Sequence, residues 1–275
     1  MTTEEKHNTL SSILLKHSVK YQPISNTTSL EKVYQLIVNN VVAEPENDIE
    51  YLYYGLYYFY IKSDYSLAKG MYLRAVEYGN SKAMNNLGIY YENVEKNYTE
   101  AIKMYLLAID HKNIISMYNL GLYYHDIGKD YDLMKKYYEM AIKHEDPDAM
   151  NNLGTYYQDV EEDHKKAKKL YSMACKYNNL HAIENLARYH KNTQKYEKAL
   201  KIYLLQPSKC EKNILKILQE KDCGRVLLEK YINLNKENSD LKKDLSDLKL
   251  TVEHLKYKPG HIGAKQAKEH FHSLL

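Results

Sequence analysis

Steps of 33 residues from Gly55 land on Gly88, Gly121, Gly154 and Ala187, and the surroundings of each small residue repeat with it. Written as offsets from that residue, −1 is Tyr54, Leu87, Leu120, Leu153 and Leu186, and +3 is Tyr58, Tyr91, Tyr124, Tyr157 and His190. Offset +13 is Ala68, Ala101, Met134 and Ala167; +17 is Tyr72, Tyr105, Tyr138 and Tyr171; +20 is Ala75, Ala108, Ala141 and Ala174. The fifth unit is one residue shorter in its middle, so Ala199 and Tyr203 come one position early. Such a period marks tandem units that cannot bury their apolar faces alone and must stack to do so.

Polar residues repeat in the same register. Asn47, Asn80, Asn113, Asp146 and Asn179 stand at −8, and Asp64, Asn97, Asp130 and Asp163 at +9. Asn and Asp cap helices because the side-chain oxygen accepts an unpaired N–H of the first turn. Pro147, directly after Asp146, suits a first helical position. Each unit therefore reads as two helices, roughly 81–94 and 98–112 in the second. Apolar residues between the caps recur three and four apart, as in Ala101, Ile102, Tyr105, Ala108 and Ile109. The repeated Gly and Ala let helices approach closely, and the Tyr rings fill the gaps, with hydroxyls expected to reach water or a carbonyl. The fold class expected is all-α, an α/α solenoid of five units over residues 47–210.

Composition narrows the rest. The 275 residues carry 30 Tyr, two Phe and no Trp, so Tyr is the standard large core residue. Against 39 Lys+Arg stand 36 Asp+Glu, and a formal +3 is too weak a field to hold nucleic acid or an anionic membrane. Three Cys without a C-x-x-C pair argue for a reducing compartment. No secretory leader opens the chain, and its longest greasy run, residues 51–61, is about half a membrane span. The expected location is cytoplasmic.

The segments Met84-Asn85-Asn86-Leu87-Gly88-Ile89-Tyr90-Tyr91 and Met150-Asn151-Asn152-Leu153-Gly154-Thr155-Tyr156-Tyr157, each followed by Ala-x3-Tyr-x2-Ala, resemble the Sel-like and tetratricopeptide repeats. The Tyr/Asn/Lys/Ile-rich composition is similar to repeat proteins of large DNA viruses of amoebae, which implies a host-cell cytoplasm. The chain departs from the tetratricopeptide pattern in carrying Met84, Met117 and Met150 where Trp stands, and in lacking the closing Pro. The resemblance implies a non-catalytic scaffold that binds a protein or peptide on the concave face lined by the first helices. It further implies that −6, −3, +1 and +4 face inward. The candidate groove residues are Asn85, Ile89, Tyr118, Leu122, His125, Asn151, Thr155, Glu184 and Arg188. In the first unit the same offsets are Ile49, Leu52, Leu56 and Phe59, either an apolar anchor site or covered by the N-terminal segment. The Lys/Asn pair of the chaperone-tail clamp is absent from every unit.

After Asp222-Cys223-Gly224, leucines recur every seven residues at Leu227, Leu234, Leu241, Leu248 and Leu255. With these at d, Asn238, Leu245 and Val252 occupy a. Glu237 then faces Lys242 and Asp244 faces Lys249 across a parallel pair, and Asn238 specifies two strands. A leucine-zipper coiled coil over 225–258 and a parallel homodimer are expected; the alternative is an amphipathic helix folded back on its own solenoid.

Residues 1–46 leave the register and read as an N-terminal helical cap. Thr28-Ser29-Leu30-Glu31 looks like a capping box, with Glu44-Pro45 closing the helix it opens. Residues 211–224 read as a capping helix and break, and 259–275 as a linker and short tail helix. No P-loop, G-x-G-x-x-G, G-x-S-x-G or H-E-x-x-H occurs. No catalytic residue, metal or cofactor is expected. A nucleic-acid-binding helical repeat and an enzyme with a site across the groove are the remaining alternatives.

Overall fold

The computed structural model describes residues 1–17 and 21–220, and the regular structure there is helical throughout. Helices α1 (Thr3–Lys16) and α2 (Thr27–Asn39) precede the repeats. Five hairpins follow: α3 (Asp48–Leu56) with α4 (Tyr65–Glu77), α5 (Ser81–Tyr90) with α6 (Tyr98–Asp110), α7 (Ile114–Asp126) with α8 (Tyr131–Lys143), α9 (Pro147–Asp159) with α10 (His164–Cys175), and α11 (Leu180–Asn192) with α12 (Tyr196–Tyr203). Helix α13 (Pro207–Glu220) comes next. A π-helical turn extends α3 over Tyr57–Ile61 and α5 over Tyr91–Glu95. The zipper, the tail and Cys223 lie outside the described residues.

The chain divides into two units. In the first, up to Asp146, each hairpin closes on itself and the second helix of one repeat packs on the first helix of the next. In the second, from Pro147, α9 to α13 pack in the same sequence order. This is the all-α solenoid class that the 33-residue period requires.

The repeated Asn and Asp are caps. Asn80 Oδ1 accepts from the Lys82 and Ala83 N–H groups, Asn113 from Ser116 and Asn179 from Ala182. Asp64, Asn97, Asp130 and Asp163 likewise accept from Leu67, Glu100, Leu133 and Lys166. Before the repeats two expectations fail. The cap of α2 is Asn26, whose Oδ1 takes the N–H groups of Thr28 and Ser29, so the Thr28 box does not form. The helix ends at Asn39 with left-handed Asn40 after it, five residues before Pro45. The capping box stands instead at Thr2 and Glu5. At the start Asn26 is the stronger and earlier acceptor, and at the end Asn40 takes the left-handed conformation that Asn tolerates.

The helices from α2 to α11 are each followed by a left-handed residue, and within the repeats these recur in register too. Lys112 and Glu145 follow α6 and α8, and Lys96, Lys129 and Glu162 follow the first helices of their repeats. Only Gly79 among them lacks a Cβ. After the second helices, the N–H of Asn80, Asn113, Asp146 and Asn179 reaches back to the carbonyl of Ala75, Ala108, Ala141 and Ala174. This six-residue closure lets one Asn end one helix and cap the next.

The core explains the Gly and Tyr periods together. Tyr72, Tyr105, Tyr138 and Tyr171 are buried, and each lays its ring on the small residue of its own hairpin. A Cβ at Gly55, Gly88, Gly121 or Gly154 would come within 2.4–2.8 Å of the ring carbons. Ala68, Ala75, Ala101 and Ala108 are fully buried where the paired helices cross. The first unit's N-terminal part shares one apolar cluster from Leu10 and Leu14 through Leu30 and Val33 to Leu52 and Leu56. The first repeat's apolar inward residues Leu52 and Leu56 are thus buried among neighbours that include the N-terminal helices.

Candidate functional site

The first-helix face of each unit separates framework from variable chemistry. At −6, Lys82 and Ile115 in the first unit and Asp148 and His181 in the second are exposed. At +1, Ile89, Leu122 and Thr155 are half-buried and Arg188 is exposed. Tyr118 leans on the Tyr138 ring at 5.9 Å, and His125 Nδ1 lies 2.6 Å from Asp126 Oδ1. Glu184 is half-buried. The face therefore presents different groups at one position from repeat to repeat, over a constant buried frame.

At −3 the structure gives the asparagines a second occupation. Asn85 and Asn151 are 6% and 8% exposed. The Asn85 oxygen accepts from Ser116 Oγ and from Asn119 Nδ2, each at 2.9 Å, and the Asn151 oxygen from Asn185 Nδ2 at 2.9 Å. The −2 asparagine of one repeat thus donates to the −3 asparagine of the repeat before. Arg188 lies on the same chain of bonds, donating to Asn185 Oδ1 at 2.7 Å. Ser116, 0% exposed, is a participant that no sequence feature singled out.

A parallel row joins the repeat starts. While Oδ1 caps its own helix, Asn80 Nδ2 donates to Asp48 Oδ2 at 2.8 Å, Asn113 Nδ2 to the Ser81 carbonyl at 3.0 Å, and Asn179 Nδ2 to Asp148 Oδ1 at 2.7 Å. At −8 Asn combines the cap acceptor with a donor on one side chain, a donor that the Asp146 carboxylate of the fourth unit lacks. The +9 caps need only the acceptor and are mostly Asp.

Two of the buried Tyr hydroxyls at +17 meet side chains of the same face. Tyr105 donates to Glu92 Oε2 at 2.8 Å, and Tyr171 to Thr155 Oγ1 at 3.3 Å. The Tyr72 hydroxyl has no hydrogen-bond partner, because the residues at +1 and +4 in its repeat are Leu56 and Phe59. Burial pushes the Tyr53 phenol up to about 12, and its hydroxyl is held by the backbone of Gln22, donating to the carbonyl at 2.6 Å. Lys82 also donates to the Gln22 side chain. The stretch after α1 thus lies on the first helices of the first two repeats.

Charge is uneven. Residues 1–146 hold 15 Lys+Arg and 19 Asp+Glu, and residues 147–220 hold 13 and nine. Buried Glu50 stays below the usual carboxylate range; bonds from Ser29, the Glu46 N–H and Asn47, with Lys32 at 3.4 Å, outweigh its desolvation. Glu92 moves the other way, raised by burial. Cys175 and Cys210 are buried thiols pushed up to about 11. Among the described residues no three His, Cys, Asp or Glu converge as metal ligands would, and no helix is long and apolar enough to cross a membrane.

A family model described as the Sel1 repeat matches residues 50–80, 81–113, 114–146 and 147–178. No curated protein sequence matches the chain. Among solved structures, a Sel1 repeat protein from Oxalobacter formigenes superposes with a TM-score of 0.56 at 18% identity, over 92% of this chain and 100% of that one. A protective antigen of uropathogenic Escherichia coli with an SLR fold gives 0.49 at 15% identity, over 98% and 71%. An immunity protein from Pseudomonas aeruginosa gives 0.46 at 18% identity, over 81% and 86%.

Proposed function

Because residues 50–178 are four Sel1 repeats, we propose that the protein is a non-catalytic scaffold that binds a protein partner as an extended segment along the first-helix face. One observation carries this reading. The positions that repeat are buried frame, whereas −6 and +1 reach the surface with a different group each time: Lys82, Ile115, Asp148 and His181; Ile89, Leu122, Thr155 and Arg188. A surface of that kind reads a sequence of side chains. The residues assigned to it are Ile89, Tyr118, Leu122 and His125 in the first unit, and Thr155, Glu184 and Arg188 in the second. Asn85 and Asn151 hold its frame.

The same reading includes a parallel homodimer through Leu227, Leu234, Asn238, Leu241, Leu245, Leu248, Val252 and Leu255, all outside the described residues. Two copies would then present two faces and bind a bivalent partner with avidity. Sedimentation of the full chain at micromolar concentration gives a dimer, and truncation near residue 225 a monomer. Affinity capture with the full chain, beside Tyr118→Ala with Arg188→Glu, tests the face. Partners held equally by both are not ligands of the face, and a set consisting only of such partners overturns the reading.

A further inference from the structure

Glu92 in the first unit is a carboxylate whose environment is incomplete. Glu92 stands at +4, one turn after half-buried Ile89, on the face assigned above. Its Oε2 accepts from the Tyr105 hydroxyl at 2.8 Å. Among the described residues no cation lies within ion-pair distance of it. The other strongly held acids of this unit have one: Glu50 has Lys32, Glu95 has Lys69 at 2.7 Å, and Glu31 has Lys6. Lys96 is near enough to favour the charged form of Glu92, but Asp126 opposes it and burial dominates both.

A half-buried carboxylate with a single neutral donor is costly unless a positive group completes it. The surroundings suit such a group. The Tyr105 hydroxyl fills one oxygen of the carboxylate, and half-buried Ile89 precedes it by one turn on the same helix face. An apolar neighbour and a desolvated acid together favour a flexible cation with an apolar stem. The unit's excess of acids over bases draws the same charge towards it.

We propose that Glu92 seats a lysine or arginine side chain of the extended partner segment, its stem lying along Ile89 and its charge against the carboxylate. This rests on the first-helix face being the partner surface. The seat sets specificity for a basic residue at one point of the bound sequence.

A random dodecapeptide library displayed on phage is panned against the full-length chain, and the selected peptides are measured by fluorescence anisotropy. Three proteins are compared: the unaltered chain, Glu92→Gln, and Ile115→Arg. Gln keeps the acceptor for Tyr105, so the thermal transition of Glu92→Gln should stay in place. Ile115 is 52% exposed, so its Arg obstructs the face without entering the core. The expected result is enrichment of peptides with one Lys or Arg beside apolar residues, blocked by Ile115→Arg and weakened at least tenfold by Glu92→Gln. Replacing the basic residue by norleucine then costs the same factor in the unaltered chain and nothing more in Glu92→Gln. Peptides blocked by Ile115→Arg but indifferent to Glu92→Gln overturn the seat and leave the face standing. No enrichment, or enrichment indifferent to Ile115→Arg, overturns the face and the seat together.

Discussion

The ring of Tyr105 lies so close to the Gly88 backbone that a Cβ there would come 2.6 Å from Cε1, inside any real carbon contact. In a helix interior, Gly→Ala ordinarily stabilises by about 1 kcal/mol. Here the clash reverses the sign. Gly88→Ala and Gly121→Ala should each destabilise by about 1–3 kcal/mol, the usual cost of overpacking. Gly70→Ala is the control, since a Cβ there meets nothing within 4 Å. Urea unfolding of the three variants, at unchanged m, checks the contrast.

Substituting Asp for Asn80 keeps the cap acceptor and removes the donor that binds Asp48. Two carboxylates would then face each other where a 2.8 Å bond now stands. The expected loss is about 1–3 kcal/mol, smaller at high salt and at acid pH, where one carboxylate protonates. Asn97→Asp, at a cap with only an acceptor role in the structure, should change stability by less than about 0.5 kcal/mol. A melting series in both salt conditions separates the two positions.

Glycine at the left-handed junctions should stabilise. Lys112 at φ 62° and Glu145 at φ 64° carry a Cβ in a region that disfavours it. Lys112→Gly and Glu145→Gly are expected to raise stability by about 0.5–1 kcal/mol each, the conformational relief exceeding the entropy added to the unfolded chain. Chemical unfolding midpoints that fall would contradict the assigned backbone conformation.

His190 replaces the Tyr found at +3 in the other repeats. It is 5% exposed, its Nδ1 has no hydrogen-bond partner, and burial with nearby Lys168, Lys198 and Lys195 lowers its pKa. The unfolded chain then binds the proton more readily than the folded one. The stability this contributes is complete above the unfolded value of about 6.5 and falls away as pH drops through the lower folded value. His190→Tyr should flatten unfolding midpoints between pH 5 and 7. An unchanged slope would refute the assignment of that pH dependence to His190.

The frame was legible because packing and capping demand particular residue types at fixed spacing. Gly55 to Ala187, Tyr72 to Tyr171 and the two rows of Asn and Asp each encode one local requirement. The second use of Asn80, Asn113 and Asn179 had a signal too, in the preference for Asn over Asp at −8 against the reverse at +9. What escaped were junctions such as Lys112 and Glu145, because Lys and Glu carry no mark of left-handed backbone. Ser116 escaped for another reason. Its bond to Asn85 reaches into the neighbouring repeat, and no period within one unit records it. The pairing of Asn119 with Asn85 and of Asn185 with Asn151 was invisible likewise, although both partners repeat visibly.

The five asparagine bonds between hairpins described above run one way. Asn80, Asn113, Asn119, Asn179 and Asn185 supply hydrogens, and the oxygens of Asp48, Ser81, Asn85, Asp148 and Asn151 receive them from the later hairpin. Ribosomal synthesis exposes the oxygens first, so each emerging hairpin brings its amides to a template already in place. A transplanted or duplicated hairpin keeps these bonds only where it brings its amides to the oxygens of the hairpin before it.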